Sequence, residues 1–103
     1  GRQMDRGMVP LELLPEVKAS VGTSMEVFID GGVENAGDVL AAVARGAQGV
    51  MIGRPYLYGL MAAGEKGVDH MSGIFRQEMD NTLKLMGVPR VSDLTPQHAQ
   101  LRP

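Results

Sequence analysis

The chain has 103 residues, 44% of them hydrophobic and 21% charged, a formal net charge of −2 and no cysteine. Disulfides and thiol catalysis are therefore excluded within it, and a metal centre is disfavoured, because His70 and His98 are its only imidazoles and stand far apart. No basic patch with interleaved aromatics marks a nucleic-acid surface, and no apolar run approaches the length needed to span a bilayer.

In chain order, Gly1 to Gly7 is polar and glycine-flanked and reads as a loop. Pro10 to Val21 follows as a helix, with Leu11, Leu14, Val17 and Val21 at helical spacing and Gly22 at its end. Pro15 is tolerated there only near a first turn. Met25–Asp30 is the first predicted strand. Asn35 is placed to cap a helix that runs to Ala47, with Asp38 three residues on in the favourable end of its dipole. Val39, Leu40 and Val43 are its expected buried stripe, and Gly46 its expected C-cap. Gly49–Ile52 is the second strand. Pro55 opens a short helix through Leu60 or Met61, which Gly64 and Gly67 are expected to break off. The longest helix is predicted over Val68–Met86, its core stripe being Val68, Met71, Phe75, Met79, Leu83 and Met86. Gly87 and Pro89 stop it, and Val91 to Pro103 forms a tail.

Two of these stretches carry the functional signal. Phe28-Ile29-Asp30-Gly31-Gly32-Val33 and Val50-Met51-Ile52-Gly53-Arg54-Pro55 are short apolar runs that end abruptly in glycine, with one amphipathic helix between them. That pattern is a β-α-β unit with parallel strands, and their continuous apolar character predicts strands covered on both faces. In a (β/α)8 barrel, phosphate groups are commonly held by the loops after strands seven and eight. Glycine lets backbone N–H groups approach an anion, a helix N-terminus adds a favourable dipole, and Arg54 can supply a charge-assisted contact. Asp30, at a strand's carboxyl end, can accept hydrogen bonds from ribityl or ribose hydroxyls. The plainer alternative is a tight turn at Gly31-Gly32 and a solvated charge at Arg54. Two parallel β-α units do not close a sheet, and the chain starts at glycine inside a motif, so we expect it to be a piece of a longer protein.

Gly1-Arg2-Gln3-Met4-Asp5, Asp30-Gly31-Gly32-Val33, Ile52-Gly53-Arg54-Pro55 and Gly64-Glu65-Lys66-Gly67-Val68, in this order, resemble the FMN-dependent α-hydroxy acid oxidoreductases. Within that family, Asp5-Arg6-Gly7 and the run Tyr56 to Met61 look most like the member associated with mycofactocin biosynthesis. The resemblance spans residues 1–103 and implies the carboxyl-terminal part of a single FMN-binding TIM (β/α)8 barrel domain, an α/β fold, with strands seven and eight in hand. It implies oxidation of a 2-hydroxy acid (lactate-, glycolate- or mandelate-like) to the 2-oxo acid by hydride transfer to flavin N5. The family's catalytic histidine falls two residues before the position matching Gly1, so the segment alone is expected to be inactive. Arg2 matches the arginine that clamps the substrate carboxylate, and Asp30, Gly31, Gly32, Val33, Glu34, Gly53 and Arg54 fall at the positions of the FMN-binding region. A cytoplasmic, tetramer-like homo-oligomer is the expected setting of the full-length protein.

One residue departs from the pattern. After Asp-Gly-Gly-Val the family usually carries an arginine that contacts the FMN phosphate, and here the residue is Glu34. A carboxylate beside a dianion is repulsive unless it is screened or points away. Two rival readings are another phosphate-binding barrel, such as an IMP dehydrogenase-like enzyme, and a non-catalytic remnant that binds phosphate only. Gly53-Arg54-Pro55 and Gly1-Arg2-Gln3 argue against the first.

Overall fold

A computed structural model describes residues 4–100. It runs α1 (Pro10–Val21), β1 (Phe28–Asp30), α2 (Ala36–Ala44), β2 (Gly49–Met51) and α3 (Arg54–Met86), then two 3-10 turns at Val91–Asp93 and Pro96–His98. β1 and β2 are parallel, with Phe28 opposite Gly49, Ile29 opposite Val50 and Asp30 opposite Met51. Helix α2 is the crossover between them, as the apolar-glycine-helix-apolar pattern requires.

The core lies on one face of this two-stranded sheet. Ile29 packs with Leu14 of α1 and with Ala42 and Ala47, flanked by half-buried Leu11, Val27 and Val50. On the far side of α2, Leu40 packs with Leu83 and Val88, flanked by Met79 and Leu94. Helix α2 is thus buried twice, against the sheet and against α3. That explains why the expected stripe is only partly right. Leu40 is buried, Val39 and Val43 are half-buried, and Ala36, Ala42 and Ala44 are the fully enclosed positions. Small side chains let both neighbours approach, and a helix apolar nearly all round is a buried helix.

The other face of the sheet carries Phe28 and Met51, 56% and 58% exposed. Coverage on both faces is expected of these strands in a whole barrel, whereas two β-α units alone are expected to leave an apolar face uncovered. Among the described residues one face is open. The strands are also shorter than the apolar runs, beginning at Phe28 rather than Met25, because pairing exists only where both strands are present. Pro15 lies well inside α1 rather than in its first turn, where it leaves the ladder one N–H short.

The two helices expected over residues 55–86 are both present as the two arms of α3. The break between them is short, confined to Ala63 and Gly64, which leave helical geometry (Gly64 at φ +58°), and the second helix starts directly after it. Gly67 is inside that second helix. Its role is close approach: a Cβ on Gly67 would run into the carbonyl oxygen of Gly59, and one on Gly59 would sit 2.6 Å from the carbonyl oxygen of Gly67. The kink folds the two arms of α3 back until their backbones touch at this pair of glycines. The predicted stripe of the long arm holds except at its end: Phe75 and Leu83 are buried and Val68, Met71 and Met79 half-buried, but Met86 is exposed. Gly87 takes the left-handed cap at φ +69°.

Candidate functional site

The loops after β1 and β2 open side by side onto one cavity of about 600 Å³. It is lined by Asp30, Gly31, Gly32 and Val33 from the first loop, and by Met51, Gly53, Arg54 and Leu57 from the second. The size suits a small-molecule site. Six sequence-predicted residues (Asp30, Gly31, Gly32, Val33, Gly53 and Arg54) therefore meet in one place. Glu34 stands beside the cavity without lining it. Arg2 lies outside the described residues. Met51 and Leu57 went unpredicted; the available signals were β-strand alternation, which puts Met51 on the open face, and the three-residue step from Arg54 along α3.

Gly31 and Gly32 take φ values of +102° and +77°, a region that side chains other than glycine rarely adopt. A Cβ on Gly32, or on Gly53, would meet nothing within 4 Å. Gly31 and Gly32 are needed for their backbone conformation, Gly53 at φ −109° is not, and the space beside Gly32 and Gly53 is free for a ligand atom.

The two helix N-termini at the site differ. At α2, Asn35 and Asp38 form the expected capping box: the Asn35 side chain accepts from the Asp38 N–H at 3.2 Å, and Asp38 Oδ2 accepts from the N–H groups of Glu34 (2.8 Å) and Asn35 (3.1 Å). Glu78, reaching over from α3, accepts from the Ala36 N–H at 3.3 Å. At this end of α2 the N–H groups of Glu34, Asn35, Ala36 and Asp38 are thus taken by protein side chains, three of the four by carboxylates. At α3, Gly53 caps without a side chain, and the first helical bond runs from the Leu57 N–H to the Gly53 carbonyl. The N–H groups of Arg54 and Tyr56 have no partner within the helix, and Pro55 has none to offer. An anion is therefore drawn to the α3 side, where Arg54 stands.

Arg54 is already engaged. Its Nη2 lies 3.0 Å from Glu34 Oε1, with the two side chains 63% and 60% exposed. The carboxylate that the sequence places next to the phosphate position has its charge answered by the cavity's own cation. Ion pairs this exposed contribute about 0–1 kcal/mol. His98 and His70 stand apart from all of this: His98 accepts the Thr95 N–H at 2.9 Å in the second 3-10 turn, and His70 is on the surface of α3.

A family model described as FMN-dependent dehydrogenase matches residues 1–101. The chain belongs to that family. It is 44% identical over 96 residues to a pre-mycofactocin synthase of Mycobacterium tuberculosis, covering 93% of this chain and 24% of that protein. To an L-lactate oxidase of Nostoc it is 39% identical over 94 residues, covering 91% and 26%. Among solved structures it is similar to a soluble mutant of the membrane-associated (S)-mandelate dehydrogenase from Pseudomonas putida, with 36% identity, 96% of this chain and 28% of that chain covered, and a TM-score of 0.88. The chain spans about a quarter of the length of the relatives it matches. Its fold is the carboxyl-terminal β-α-β-α portion of a (β/α)8 barrel, with β1 and β2 as strands seven and eight. These likenesses favour the FMN-dependent reading over the IMP dehydrogenase-like one. FMN, the family's cofactor, is compatible with the cavity: it offers a phosphate for the α3 end and ribityl hydroxyls for Asp30.

Proposed function

We propose that this chain is the cofactor-phosphate end of an FMN-dependent oxidoreductase that converts a 2-hydroxy acid to the 2-oxo acid. The observation that carries this is the convergence of Gly31-Gly32 and Gly53-Arg54 on one open cavity at the carboxyl ends of adjacent parallel strands. The N–H groups around Gly31 and Gly32 and the open first turn of α3 would hold phosphate oxygens, with Arg54 adding charge. Asp30 would accept from ribityl hydroxyls. Arg2 would grip the substrate carboxylate through its planar fork of donors. When bound, the flavin supplies the hydride acceptor. Residues 1–103 form part of one such barrel domain, and the protein's substrates are small hydroxy acids like those named for its relatives.

We place the full-length protein in the cytoplasm as a homo-oligomer. No described helix is long and apolar enough to cross a membrane, although one solved neighbour is a monotopic membrane protein. Fractionation and sedimentation of the full-length protein check both points.

Flavin retention tests the reading. Loss of one charge-assisted contact to a phosphate is worth about 1.5–3 kcal/mol, so Arg54→Ala should weaken FMN binding by roughly 10- to 100-fold. Riboflavin, which has no phosphate, should be held equally by wild type and variant. An Arg54→Ala protein that binds FMN as wild type does would remove the phosphate from this end of the cavity.

A further inference from the structure

Resting on the phosphate-end reading above, we propose that Glu34 is an affinity-setting latch: its carboxylate holds Arg54 in the cofactor-free protein, and an incoming phosphomonoester dianion must take Arg54 from it. The contact is direct, at 3.0 Å between Oε1 and Nη2. It also crosses the rim of the site, because Arg54 lines the cavity and Glu34 does not. Among the described residues that line the cavity, Arg54 is the one cationic side chain. With Asp30, the three ionised side chains at the site sum to one negative charge, two carboxylates against one guanidinium.

The backbone fixes which part of the latch can move. The Glu34 N–H is tied to Asp38 Oδ2 at 2.8 Å, beside the Asn35 capping box. The pair opens by rotation of either side chain while the Glu34 backbone stays in place, so the carboxylate remains close to the phosphate that takes Arg54. Both side chains are more than half exposed, so the pair is weak enough for a doubly charged ligand to displace it. The latch therefore lowers affinity twice over: a pair is broken on binding, and a like charge remains nearby. Neutralising Glu34 should remove both costs, and salt should diminish the benefit by screening the charges.

The test uses the full-length apoprotein in four forms: wild type, Glu34→Gln, Arg54→Gln and the double variant. Each is titrated with FMN and with riboflavin by quenching of flavin fluorescence, at low and at high ionic strength. Glu34→Gln should tighten FMN about tenfold at low salt and by clearly less at high salt, with riboflavin unchanged. In the Arg54→Gln background the same change should give a smaller gain, since only repulsion is left to relieve. An equal gain in both backgrounds would overturn the latch, leaving Glu34 as a simple repulsive charge. Weaker FMN binding by Glu34→Gln would overturn it in the other direction, making Glu34 the residue that orients Arg54 towards phosphate. FMN binding no tighter than riboflavin binding in all four proteins would instead remove the phosphate-end reading, and the latch with it.

Discussion

Gly32 shows how much a single position can demand. At φ +77° a side chain is strained wherever space exists, and the space beside Gly32 is open. Gly32→Ala should therefore cost about 1–2 kcal/mol of stability from backbone strain. It should also weaken FMN binding, because its methyl group would project where a ligand atom is expected. A urea midpoint and an FMN titration on the full-length protein separate the two effects; unchanged values in both would show that the turn relaxes to accept the methyl. Arg2→Lys belongs to the same scale. On the role proposed for Arg2, a point charge cannot reproduce its bidentate clamp, so kcat/KM should fall by the equivalent of roughly 2 kcal/mol of transition-state binding while FMN stays bound. An unchanged kcat/KM would show that Arg2 is not the clamp. Gly31, Gly32, Gly53 and Arg54 were legible in the sequence because their chemistry is carried by residue type. The partner of Glu34 was not, because it depends on where the kinked α3 begins relative to the Gly-Gly loop, a distance between segments that no spacing encodes.

At the scale of elements, the two arms of α3 meet through glycine backbones, and this makes two glycines of the same helix behave oppositely. Gly67→Ala forces a methyl group into the Gly59 carbonyl and should destabilise by about 1–3 kcal/mol through overpacking. Gly73, further along the helix, has nothing within 4 Å of where its Cβ would be. Gly73→Ala should stabilise by about 0.5–1 kcal/mol, the difference in helix propensity. Denaturant midpoints of the two variants check this, and equal effects would refute the crossing at Gly59 and Gly67. The existence of α1, α2 and both strands could be read from hydrophobic period and caps. So could the two arms of α3, but not the place of the break between them. Gly64 and Gly67 look alike in sequence as helix breakers, and only packing shows that one makes the kink and the other the contact.

For the whole molecule, the open face bearing Phe28 and Met51 and the unpaired outer edges of a two-stranded sheet set the physical problem. Such a sheet is marginal alone, and exposed strand edges invite pairing between chains. Residues 1–103 prepared in isolation should therefore aggregate or melt without cooperativity; a sharp two-state transition of a monomer would show that the segment is self-sufficient. This much was legible from counting strands, since two parallel strands cannot enclose a core on both faces. The central claim concerns chemistry, and anaerobic reduction tests it most directly. The FMN-loaded full-length protein is mixed, without oxygen, with L-lactate, glycolate and mandelate in turn, and the visible absorbance of its flavin is followed. The account predicts bleaching by at least one 2-hydroxy acid, with one equivalent of 2-oxo acid formed per flavin. A fully loaded flavin that stays oxidised with every 2-hydroxy acid, yet is bleached by a chemical reductant, would contradict it.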